Sequence, residues 1–230
     1  MRQLSKNRSL VFFLGELDYS EAALLADPDA AHLAPAFTAG IGEWDGLFSG
    51  ERAGRRQVTR AHAVVAVRNQ QLDRTTGRFS AALEVEAKGR ATPVYQRFFA
   101  GAPGQFVRLA LRQQCEQTRD KLLPELAKLT SPMLRPFAEL LDTGFKAALQ
   151  ALDDRSAATG KRASTRSDVN DWKDGVNRLR TVTYADLLKI ATEKGYKRAW
   201  VEAFFRPEGD AQEEDESDTP SAPAAPAPPA

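Results

Sequence analysis

One cysteine, two histidines and two methionines are all that this 230-residue sequence holds of the residues that usually staple or metallate a fold. A lone thiol, Cys115, rules out an intramolecular disulfide framework and suits a reducing compartment. A carboxylate–histidine metal site in a helical protein draws on two Glu-x-x-His pairs. His32 and His62 follow no Glu at that spacing, and Asp29-x-x-His32 stands alone beside a helix start. The expectation is therefore no metal and no cofactor. No segment approaches the ~20 apolar residues of a membrane span. The N-terminal run Leu10 to Leu14 is short for a signal peptide, and Gly15 to Asp18 offers no cleavage site. A cytoplasmic chain with no membrane attachment is expected. Of the 32 basic residues 22 are Arg, a bias in keeping with a GC-rich bacterial genome.

Motifs for chemistry are scarce as well. There is no Gly-x-Ser-x-Gly elbow. Gly40-Ile41-Gly42-Glu43-Trp44-Asp45-Gly46 has one residue too many before its last glycine and follows no predicted strand, so it does not read as a dinucleotide loop. Cys115 lies in phase with Val107, Leu111 and Leu122 and reads as a small core hydrophobe rather than a nucleophile. Asp168, Asp171 and Asp174 sit three apart at a predicted helix start, where carboxylates complement the helix dipole.

What is there is helical pattern. Val58, Val65, Leu72 and Phe79 recur every seventh residue, and Ala61, Arg68, Thr75 and Ala82 form a second, more polar seam. Val64 and Leu83 widen the stripe. This places a long helix over about Glu51–Lys88, stopped by Gly89. Upstream, Asp18 and Glu21 have capping-box spacing for a short helix over Tyr19–Ala26, and Asp27-Pro28 looks like the next helix start. The segment Asp29–Phe48 is helical in composition but interrupted by Pro35, Gly40, Gly42 and Gly46, which predicts a kinked helix. Ala31, Pro35, Thr38 and Gly42 offer it a small-residue face, with Trp44, Leu47 and Phe48 giving bulk at its end.

Beyond a loop at Thr92-Pro93 and a break over Gly101 to Gly104, a helix is predicted over Gln105–Leu129, bent by Pro124. Ser131-Pro132 starts another, running to Asp154 with Met133, Phe137, Leu140, Leu141, Phe145, Ala148, Leu149 and Leu152 on one stripe. Residues 155–167 are small, polar and basic and read as an exposed loop. A last helix over Asp168–Lys194 turns Val169, Trp172, Val176, Leu179, Leu187 and Ile190 inward and ends at Gly195. Two aromatic clusters, Tyr95/Phe98/Phe99 and Trp200/Phe204/Phe205, read as bundle closures.

The net charge of +1 is unevenly spread. From Pro207 onward there are seven acids and no base, so residues 1–206 carry a net +8. The organisation expected is one helical domain, 1–206, and a disordered acidic, Pro/Ala-rich tail, 207–230. The fold class expected is all-α: an antiparallel helical bundle of four or more long helices with short N-terminal helices. Arg52, Arg55, Arg56 and Arg60, with Lys161, Arg162 and Arg166, form two basic groups that suit phosphate or nucleic-acid contact. With no catalytic constellation in view, the expected function is non-enzymatic, through protein–protein contact or self-association as a scaffold or accessory subunit. A nucleic-acid-associated protein using a basic helix face is the alternative, and an enzyme with an unrecognised site is the third.

Overall fold

The computed structural model describes residues 3–99 and 103–207, and every regular element among them is helical. The chain is all-α. The acidic tail from 208, and residues 101 and 102 of the Gly101–Gly104 break, lie outside the described residues. Two helices dominate: α2, Pro35–Glu86, of 52 residues, and α7, Pro136–Lys194, of 59. The others are α1 (Leu10–Ala26), α3 (Pro93–Phe98), α4 (Pro103–Phe106), α5 (Leu111–Gln117), α6 (Leu123–Ala127) and α8 (Arg198–Glu202). Two very long helices and several short ones thus stand where four or more long ones were expected. The residues group into two compact units, 1–52 with 164–230, and 53–163, and the division falls inside α2 and α7.

In the first unit, the Leu10–Leu14 run forms the start of α1. Ser9 caps it, its Oγ accepting from the Phe12 N–H at 3.0 Å. Asp18 and Glu21 accordingly lie mid-helix and cap nothing; Glu21 accepts from the Thr38 hydroxyl instead. Phe13, Leu17 and Leu24 are fully buried against Phe37, Trp172, Val176 and Leu187. Asp27 forms an Asx turn to the Asp29 N–H (2.9 Å) rather than starting an α-helix at Pro28; a 3-10 turn, Ala31–Leu33, follows. Pro35 opens α2, where its missing N–H costs nothing, and the helix continues unbroken through Gly40, Gly42 and Gly46. The close approach belongs to Gly40, where an added Cβ would lie 3.5 Å from Leu17, whereas Gly42 has open space. The small-residue face was assigned one register off. Trp44 donates to the Leu10 carbonyl at 2.9 Å and stacks on Phe48.

Three polar side chains of α7 fasten the N-terminal segment to this unit. Asn177 both donates to and accepts from the backbone of Leu4 (3.0 and 2.8 Å), Lys173 donates to the carbonyls of Lys6 and Arg8, and Asp174 pairs with Lys6. α7 ends, as expected, at Gly195, whose φ of 72° is the left-handed conformation. Val201, Phe204 and Phe205 then dock into the same core.

In the second unit, Leu72, Phe79 and Leu83 of α2 meet Leu141, Phe145 and Ala148 of α7, the two helices running antiparallel. Val65 is buried but Val58 only partly so. In the second seam Ala61, Thr75 and Ala82 are partly buried and Arg68 is exposed; Thr76 beside it is fully buried, and Val64 faces outward. α2 ends before Gly89, as the sequence indicates. Thr92-Pro93 is no loop but the cap and first residue of α3, which buries Tyr95 and Phe98; the Tyr95 hydroxyl bonds Ser80 at 2.7 Å.

The single helix expected over Gln105–Leu129 is broken into α4, α5, a π-turn (Thr118–Leu122) and α6. Pro124 accounts for the π-turn. It lacks the N–H that an α-helix would direct to the Asp120 carbonyl, and the register widens so that the Leu123 N–H reaches Thr118 O. Ser131-Pro132 opens a turn whose Leu134 is buried; the helix itself starts at Pro136, which leaves Met133 outside it and exposed. Leu140, expected inward, is exposed too. The largest departure is at 155–167, expected as a loop and found inside α7. Only Gly160 in that stretch disfavours helix strongly. Its alanines are good formers, Ala158 is buried, and Thr159 satisfies its hydroxyl on the Arg155 carbonyl at 2.9 Å.

Candidate functional site

Two grooves lie along the long helices, one in each unit. In the second unit a groove of about 400 Å³ is lined by Gln57, Arg60, Ala61 and Val64 of α2 and by Ala151, Asp154, Ala157, Ala158 and Lys161 of α7. It brings together Arg60 and Lys161 from the two basic groups read in the sequence. Arg55, Arg56 and Arg162 belong to the same unit, with Arg162 packed beside Gly54, and Arg52 and Arg166 belong to the first unit. Lys161, Arg162 and Arg166 stand on a helix, not a loop. Asp154 tempers the charge of this groove and accepts from Gln150 at 2.8 Å.

The larger groove, about 830 Å³, lies in the first unit. Its α2 side is Ala36, Ala39, Gly40, Glu43, Gly46 and Leu47. Its α7 side is Asp168, Asp171, Trp172, Gly175, Val176 and Leu179. Helical spacing produces this composition: each set recurs at three- and four-residue steps and so shares one face of its helix. Trp172 is held in place by its indole N–H, which donates to the Gly40 carbonyl at 3.2 Å. The walls are mostly small and apolar, and among the described residues the charges lining them are the three carboxylates Glu43, Asp168 and Asp171. All three are exposed. Asp168 and Asp171 lie in the middle of α7, so they complement no helix N-terminus, contrary to expectation. Asp174, which was grouped with them, instead pairs with Lys6 at 2.6 Å.

Several other titratable groups are engaged in structure. Asp29, the one carboxylate near His32, accepts from Lys194 (2.8 Å) and Tyr196 (2.7 Å), and these hydrogen bonds hold its pKa below the ordinary carboxylate value. Cys115 is fully buried in the second core, and that burial pushes its thiol up to about 11. Glu16 and Arg180 form a buried ion pair beneath α1, with the Arg180 guanidinium 5.2 Å from the Phe205 ring. Burial pulls the Arg180 pKa down while Glu16 acts to raise it. Among the described residues no group of three or more His, Cys, Asp and Glu side chains is placed to hold a metal ion.

Sequence reasoning missed the larger groove. Two signals pointed toward it: the glycines at 40 and 46, and the Asp168/Asp171 spacing. Each was assigned a local role because their meeting depends on the pairing of α2 with α7. No protein-family model, characterised protein or solved structure matches this chain.

Proposed function

We propose that this protein is a non-enzymatic helical scaffold or accessory subunit, working through protein–protein contact at the groove of its first unit. The observation that carries this is the groove itself: about 830 Å³, open and largely apolar, between two helices whose facing walls are mostly small residues. Helix-in-groove recognition uses such a trough, reading apolar anchors on a partner. The sealed Cys115 and the engaged Asp29 are in keeping with a non-catalytic role. A photo-crosslinking residue placed at Gly46 or Gly175 tests it, since a Cβ at either position meets nothing within 4 Å. Protein adducts formed in the native cell from these positions, and not from the exposed Arg78, are expected. Equal labelling at all three, or none, removes the proposal.

A second function is favoured by one observation, the meeting of Arg60 and Lys161 on the smaller groove. With the nearby arginines they would bind phosphates of nucleic acid by counterion release. Filter binding at two salt concentrations decides it, and binding that ignores salt, or is lacking altogether, sinks it.

A further inference from the structure

The larger groove carries charge of one sign. Among the described residues the charged side chains lining it are three carboxylates, and the basic excess of residues 1–206 does not belong to its unit: residues 53–163 hold 19 bases against 10 acids, while residues 1–52 with 164–206 hold 13 bases against 14 acids. Glu43 stands on one wall and Asp168 and Asp171 on the other. With no base among the lining residues, these carboxylates are set against anionic occupants and favour cationic ones. Resting on the contact role proposed above, we infer that the occupant is a cationic amphipathic helix of a partner protein.

Size and shape agree with a helix. From Ala36 to Leu47 the α2 wall extends about 16 Å at 1.5 Å per residue, three turns of a docked helix. Gly46 and Gly175 leave room for its side chains, since a Cβ added at either has no neighbour within 4 Å. Trp172, Val176 and Leu179 supply the apolar floor on which residues at i, i+3, i+4 and i+7 of the partner pack. Lysines or arginines flanking that stripe then meet the three carboxylates. The chain's own C-terminal segment is excluded on charge, because from Pro207 onward it holds seven acids and no base. Nucleic acid and anionic lipid surfaces are excluded on the same ground.

The test is fluorescence anisotropy with the full chain and two designed helical peptides of three to four turns. One has leucines on one face and lysines on the other; its counterpart has the same leucines with glutamates. The lysine peptide is expected to bind, and to bind more weakly as salt is raised. The triple variant E43Q/D168N/D171N is expected to lose about tenfold in affinity, and Gly46→Phe, which fills the groove, to lose all binding there. The acidic residues beyond Pro207 attract the lysine peptide too, so loss of binding in Gly46→Phe is the deciding readout. Circular dichroism of each variant verifies that its helices are intact. If both peptides bind equally and Gly46→Phe blocks both, the contact surface stands and its cationic specificity falls. If the lysine peptide ignores Gly46→Phe and the triple variant, or fails to bind, the inference falls, while the photo-crosslinks judge the contact role separately. Sedimentation showing a dimer that Gly46→Phe dissolves assigns the groove to a second copy, and overturns the inference as well.

Discussion

Glu16 and Arg180 are the most costly pair of side chains in the first unit. Both are almost fully buried, at 3% and 5% side-chain exposure, between α1 and α7. Removing one partner leaves a charge with neither water nor counter-ion, and breaking such a pair costs about 3–5 kcal/mol. Arg180→Met is therefore expected to destabilise the protein by about that much in urea unfolding. Adding Glu16→Leu should recover most of the loss, because two apolar groups replace two charges. A double variant no better than the single one would show that the loss comes from packing, including the Phe205 contact, and not from the stranded carboxylate. Cys115 makes a second prediction at this scale. Its thiol is pushed by burial from an ordinary 9.0 up to about 11, so the fold disfavours the thiolate. Stability should decline as pH rises from 9.0 toward about 11, and Cys115→Ala should remove that decline. Native protein at pH 8 should resist iodoacetamide and react once unfolded; rapid native alkylation would contradict the burial.

The helices show how far local sequence carries. Their ends at Gly89 and Gly195, and the aromatic pieces that dock beyond them, were legible because a left-handed glycine leaves a local mark. The starts were read less well. Asp18, Asp27 and Ser131 all have the chemistry of N-caps, yet the caps in use are Ser9 and Thr92, each beside a segment whose burial depends on distant partners. Residues 155–167 were misread for the complementary reason. Small and basic side chains look like a loop, but the stripes on either side, from Phe145 to Ala158 and from Val169 to Val176, carry the helix through. This has a direct check in urea unfolding. An added Cβ at Gly160 meets nothing within 4 Å, so Gly160→Ala should stabilise by about 0.5–1 kcal/mol. Gly160→Pro should cost about 3 kcal/mol or more. If proline is tolerated there, the segment is a loop after all.

At the scale of the whole molecule, fold class was legible and the candidate site was not. Periodicity announces helices, but the grooves arise from which helices pair and in what register, and that information lies in contacts more than a hundred residues apart, such as Trp172 with Gly40. The basic groups that the sequence singled out are partly united on the smaller groove. The larger groove was hidden in residues that seemed to punctuate the chain. Its carboxylates acquire meaning only once α2 and α7 bring them to the facing walls of one apolar trough. The most direct test is hydrogen–deuterium exchange of the intact protein with and without the lysine-faced helix. Added protection is expected over both 36–47 and 168–179, the two walls of the groove, and not over 57–64 or 151–161, the walls of the smaller one. Protection confined to the smaller groove, or to the acidic segment beyond Pro207, would contradict the account.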